Sequence, residues 1–132
     1  MEEKQMNDYG HRKMVVWKNI DELEKMVYMI IKSLPKNKFN LLNQIERACD
    51  SVGANFIEGY YSGSIKEYIR FLKYSKRSLA ELQGWIGRTY NREYIKRGTF
   101  QEFDSLAIRT MYLLNRLINA LILKSNNTPA RP

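Results

Sequence analysis

The sequence predicts an all-α protein, an antiparallel up-down-up-down four-helix bundle, on three observations. Apolar residues recur at three- and four-residue steps in four separate stretches, the period of a helix with one buried face. The stretches are divided by short polar segments holding Pro35, Gly63 and Gly98, and short connectors make successive helices antiparallel neighbours. No stretch alternates apolar and polar residues as a half-buried strand would. A chain of 132 residues forms one domain that buries about 70% of its unfolded surface without disulfide or metal.

The first helix is expected to begin within a few residues of Met14, with Trp17, Ile20, Leu23, Val27, Ile30, Ile31 and Leu34 on one face. Asp21, Glu22 and Glu24 place acidic charge in its early turns, where the helix dipole favours it. Pro35 ends it, because the residue before a proline is pushed out of the α region. After the connector Lys36 to Phe39, the second helix carries Leu41, Leu42, Ile45, Ala48, Cys49, Val52, Phe56, Ile57 and Tyr60 and ends near Gly59 or Tyr61.

This second helix breaks its own pattern between Ser51 and Gly59. Gly53 in mid-helix costs about 1 kcal/mol relative to alanine, and Asn55 and Glu58 sit one turn apart among apolar neighbours. Gly53 beside Ala54 predicts a close helix–helix contact. Polar groups covered by such a contact need partners, so Asn55, Glu58, Ser78 and Glu81 are expected to form a structural network between the second and third helices, drawing in Arg47 or Arg77. A catalytic reading of these carboxylates finds no nucleophile and no pocket signature beside them.

Ser62-Gly63 interrupts the chain, and Ser64 with Glu67 reads as a capping box opening the third helix. Tyr68, Leu72, Ser75, Leu79, Leu82 and Ile86 share its inner face, which runs to about Tyr90. Gly84 and Gly87 near its end either serve close backbone approach, the favoured reading given the cost of two helix glycines, or mark fraying. Asn91 to Gly98 is a basic connector, and Thr99 with Glu102 reads as a second capping box for a fourth helix carrying Phe103, Leu106, Thr110, Leu113, Leu114, Leu117, Leu121 and Ile122 through about Lys124. The bundle therefore spans residues 11–124, with flexible tails at 1–10 and 125–132.

Charge is distributed unevenly along the chain. The net charge is +8, yet residues 1–61 balance to zero, while residues 62–99 hold nine Lys and Arg against three Glu. At 100° per residue, Lys66, Arg70, Lys73 and Arg77 fall within about 40° of the direction opposite the third helix's apolar face. Arg88, Arg92, Lys96 and Arg97 continue the positive charge into the connector, interleaved with Tyr90 and Tyr94. Only Glu81 stands where it could pair with Arg77. A cationic stripe with aromatic rings fits a phosphate backbone and its unpaired bases, so RNA or DNA is the expected partner.

Other chemistry is excluded by count. Cys49 lies in the apolar phase of its helix and reads as a small buried hydrophobe, and one cysteine with one histidine, His11, makes no metal site. No cofactor is expected. The absence of a leader and of a long uncharged apolar run predicts a cytoplasmic protein outside the membrane. Tyr60, Tyr61 and Tyr90, at helix ends, are expected to be exposed, which suits self-association or a rival role as a protein-binding scaffold whose positive charge serves solubility and steering.

Trp17-Lys18, Leu34-Pro35, Gln44-Ile45, Ser51 through Gly59, Ser64-x-x-Glu67-Tyr68-Ile69-Arg70-Phe71-Leu72 and Ser78-Leu79-Ala80-Glu81-Leu82 form an ordered set over three helices. This set resembles the bacterial 23S rRNA intervening-sequence (S23) family of four-helix bundles, which is itself similar to the accessory variability protein of diversity-generating retroelements. Gly53 departs from the family pattern, which usually has proline there. The resemblance implies a four-helix bundle in a cyclic homo-oligomer, a pentamer, with a non-catalytic RNA-binding accessory role. In the retroelement version it implies a reverse transcriptase as partner.

Overall fold

The computed structural model describes residues 10–127. A short 3-10 turn, Gly10–Lys13, leads into α1 (Val15–Ser33), α2 (Phe39–Tyr60), α3 (Ile65–Asn91) and α4 (Arg97–Asn126). Each helix packs on the next and α4 closes on α1, giving the four-helix bundle that the apolar periodicity predicts. No strand occurs among the described residues. Ile20, Leu23 and Val27 from α1, Ile45, Val52 and Phe56 from α2, Leu72, Leu79, Leu82 and Ile86 from α3, and Phe103, Ala107 and Leu114 from α4 meet in one core. Three polar residues are buried with them, each with its hydroxyl bonded to a backbone carbonyl: Ser75 to Val52, Thr89 to Trp85 and Thr110 to Leu106.

The helix ends follow local chemistry, with one correction. Leu34 is extended (φ −82°, ψ 153°) ahead of Pro35 and stops α1. Gly63 turns the chain at φ +83°, where a side chain would be strained. Ser64 Oγ then accepts the Glu67 N–H at 3.0 Å, starting α3. Only half of that capping box forms, because the Glu67 carboxylate turns to Arg70 instead.

The second capping box, at Thr99, does not open α4. That helix starts at Arg97 after an extended Lys96. The cause lies just upstream, where Glu93 adopts φ +64°. The Glu93 N–H reaches Tyr90 O at 2.9 Å and the Tyr94 N–H reaches Thr89 O at 3.1 Å, the paired bonds of a Schellman C-cap. Buried Ile95 pins the connector to the core, so the chain reverses quickly and Thr99 already lies within the helix. At its other end α4 continues through Ser125 to Asn126, past the expected end at Lys124. The rest of that tail and residues 1–9 lie outside the described residues.

The close contact foreseen around Gly53 is displaced along α2. A Cβ at Gly53 would meet Glu24 Oε1 at 2.8 Å, a side chain of α1. Backbone approach falls at Gly59, where a Cβ would stand 2.9 Å from Phe71 Cβ and 3.2 Å from Tyr68 O. Gly84 and Gly87, expected to serve close packing, face open space: a methyl group at either position would meet nothing within 4 Å. Gly59→Ala should therefore destabilise the fold by about 1–3 kcal/mol through overpacking, while Gly84→Ala should stabilise it by up to about 1 kcal/mol, both read by urea unfolding.

Glu24, fitted into the space that Gly53 leaves, has its pKa raised by burial first and by Asp50 and Asp21 second. The folded chain then holds this proton more tightly than the unfolded chain, so ionising Glu24 costs stability as pH rises through the folded value. That cost vanishes below the ordinary value of 4.5. Glu24→Gln should raise stability at neutral pH by a few tenths of a kcal/mol, roughly the size of like-charge repulsion on a helix, and give no gain below pH 4.5, as thermal melts across pH would read.

Candidate nucleic-acid interface

Helix α3 turns its inner face to the core through Leu72, Ser75, Leu79, Leu82 and Ile86, which fixes what points outward. Lys66, Arg70, Lys73 and Arg77 are all exposed, as the wheel predicts. Arg88, Arg92, Lys96 and Arg97 are exposed too. Among the described residues no ion pair joins Lys66, Lys73 or Arg77 to a carboxylate, whereas Arg70 Nη2 donates to Glu67 Oε2 at 2.7 Å. That bond raises the Arg70 pKa above its ordinary value, and it corrects the expectation that the stripe has no acidic partner but Glu81.

Glu81 pairs elsewhere. Its Oε1 accepts from Arg47 Nη2 at 2.5 Å, tying α3 to α2, and the same nitrogen donates to Gln44 Oε1 at 2.7 Å. The foreseen link through Arg47 is therefore present, but the four-residue network is not. Asn55 Nδ2 donates to Ser51 O inside its own helix at 2.9 Å, and Glu58 is exposed. No hydrogen bond joins Asn55, Glu58, Ser78 and Glu81 to one another. The buried polar link across this seam is one that periodicity placed only as a core position: Ser75 Oγ donates to Val52 O at 2.7 Å.

The aromatic side chains sort by depth. Tyr90 stacks on Phe100, centroids 4.5 Å apart and planes within 8°, and packs with Tyr94 against the core, so neither ring is presented freely among the connector's cations. Tyr60 is half-buried in a cluster with His11, Trp17, Phe56, Tyr61 and Tyr68. Of the three tyrosines expected at exposed helix ends, only Tyr61 is exposed, at 61%. The ring that sequence reasoning missed is Tyr74. It lies 5.7 Å from the guanidinium of Arg70 and 5.7 Å from that of Arg77, and farther along α3 Arg88 sits 4.6 Å over Trp85. Guanidinium spacing at i−4 and i+3 around an aromatic was the available signal.

Beside Tyr74 lies an open depression of about 490 Å³ lined by Tyr74, Arg77, Ser78 and Glu81. A larger one, about 910 Å³ between α1 and α4, has exposed Glu22, Gln101, Glu102, Ser105 and Arg109 among its lining. Its hydroxyl has no histidine to activate it, since His11 belongs to the aromatic cluster. Burial pushes the Cys49 thiol up to about 12, with Glu24, Asp50 and Glu46 adding to the shift, so its reactive thiolate is suppressed. Among the described residues no group of three or more His, Cys, Asp or Glu side chains is placed to hold a metal ion.

Helix α4 has a different surface. It is long and apolar enough, by length and composition, to cross a membrane, with 22% of that stretch buried. Its buried residues Phe103, Ala107, Thr110, Leu114 and Ile118 belong to the bundle core. Ile108 and Tyr112, each 57% exposed, and Leu123, 62% exposed, lie with Ile122 in an arc of about 100°.

The arrangement is that of a four-helix-bundle protein with one cationic, aromatic helix face and an apolar face on a neighbouring helix. The 23S rRNA-intervening sequence protein family matches residues 12–116, and the chain belongs to that family. Among solved structures, a protein of unknown function from the S23 ribosomal protein family of Bacteroides thetaiotaomicron has the same fold, with a TM-score of 0.75 and 24% identity over 79% of this chain and 98% of its own. No curated protein matches the sequence.

Proposed function

We propose that the protein is a non-catalytic RNA-binding accessory protein that works as a homo-oligomer. The observation that carries this reading is the outward face of α3, where Lys66, Lys73 and Arg77 stand in solvent with no carboxylate partner among the described residues. Such a row tracks a phosphate backbone, and its attraction is electrostatic and independent of sequence. Membership of a family named for a ribosomal RNA insertion favours RNA as the polyanion. Oligomerisation multiplies the face, and avidity then exceeds what one bundle supplies.

Self-association uses α4. Ile108, Tyr112, Ile122 and Leu123 form an apolar band on a helix otherwise built into the core, and exposed bands of this kind mark contact surfaces. Five subunits is the number expected from the family resemblance.

Lys66, Arg70, Lys73 and Arg77 changed together to glutamine should weaken RNA binding at least tenfold and reduce the dependence of log affinity on log salt by roughly three units, since each neutralised single-strand phosphate contributes about 0.7. Unchanged affinity and slope in a filter-binding titration would make the stripe a solvated face only. Ile108→Glu with Tyr112→Glu should convert the oligomer to a 15.7 kDa monomer in light scattering while the helical circular dichroism persists.

A further inference from the structure

We infer that the α3 face takes unpaired RNA, seating a base on the Tyr74 ring and in the depression next to it while the flanking cations hold the phosphates. The inference rests on the RNA-binding reading above and adds the form of RNA. Duplex RNA shows a protein mainly phosphates and 2′-hydroxyls, which charge alone would satisfy. This face holds more than charge. Tyr74 stands between Arg70 and Arg77, Phe71 meets it edge-on with centroids 5.8 Å apart, and Trp85 under Arg88 repeats the pairing about 16 Å farther along the helix at ~1.5 Å per residue.

The depression of about 490 Å³ supplies what a base edge needs. Ser78 offers a hydroxyl that both donates and accepts, and Glu81 offers a carboxylate held in place by Arg47. A carboxylate repels phosphate but accepts hydrogen bonds from base N–H groups, so this depression suits the base and the cations outside it suit the backbone. Tyr74 is half-buried with its ring flanked by exposed arginines. Base-on-aromatic stacking is stronger than an exposed cation–π contact. A base can therefore displace a guanidinium, which then turns to the adjacent phosphate.

Full-length protein carrying Tyr74→Leu or Tyr74→Phe is titrated with a short single-stranded oligoribonucleotide and with the duplex of the same sequence, next to the four-glutamine variant. Tyr74→Leu should lose about five- to hundredfold in single-strand affinity, keep its duplex affinity and keep its salt slope, while Tyr74→Phe binds as the parent does. A 2-aminopurine placed in the single strand should be quenched by the parent and by Tyr74→Phe. Equal single-strand binding by Tyr74→Leu, or an equal loss for both RNA forms, overturns the stacking inference. If the four-glutamine variant is still impaired, the RNA-binding reading survives that result, and if it binds normally both fall. Should Tyr74→Leu fail to fold, absence of quenching by the parent and by Tyr74→Phe overturns the inference on its own.

Discussion

The surface of this bundle depends on how tightly α3 lies against α2. Gly59 removes the one Cβ that would hold Tyr68 and Phe71 away, and Ser75 is hydrogen-bonded into the backbone of α2 at Val52 with no exposure to water. A buried hydroxyl left without its acceptor costs about 1–3 kcal/mol. That contact therefore fixes the rotation of α3 about its axis as well as its distance. Had the helix turned by one residue, about 100°, Lys66, Lys73 and Arg77 would move off the outward face.

The two halves of the molecule use charge differently. On α1 and α2, Tyr28 donates to Asp50 at 2.8 Å, and Glu24 sits near Asp21 and Asp50 with its proton held more tightly than usual. Carboxylates there are crowded against one another. On α3 the few carboxylates are engaged by guanidiniums: Glu67 by Arg70 and Glu81 by Arg47. These exposed pairs are worth about 0–1 kcal/mol each, too little to matter for stability. Their effect is on geometry, since they orient Arg70 and Glu81 at the two ends of the Tyr74 surface.

Much of the fold was legible because helices announce themselves through period and punctuation. Pro35, Gly63 and Ser64 all act at their own positions, and the apolar residues of each stretch form the core. The misreadings share a cause. Thr99 and Glu102 have the spacing of a capping box, but the Schellman turn at Glu93 and buried Ile95 set the start of α4 from outside that window. Gly84 and Gly87 look like Gly59 in sequence, and only the path of the neighbouring helix tells which glycine is approached. The cationic stripe was visible from the wheel, since position on one helix decides exposure. The partners were legible only in part. Arg47 was one of two arginines foreseen for the link to Glu81, whereas the turn of Glu67 to Arg70 and the stacking of Tyr90 on Phe100 across a turn depend on side-chain directions that spacing does not give.

Under the proposed RNA-binding reading, modest energies at Tyr74 would be enough to make the α3 face selective. An arginine over an exposed ring gains about 0.5–1 kcal/mol, whereas a base stacked on that ring gains about 1–3 kcal/mol. In the proposed complex the arginines that flank the ring in the free protein would yield it to a base, and each displaced guanidinium would find a stronger, charge-assisted partner in phosphate. Neither step requires the backbone to move, since α3 is held rigidly by its contact with α2. The apolar band on α4 belongs to a different helix from this surface, so in the proposed oligomer α4 would carry the subunit contact and α3 the strand, and every added subunit would bring another Tyr74 and its flanking cations.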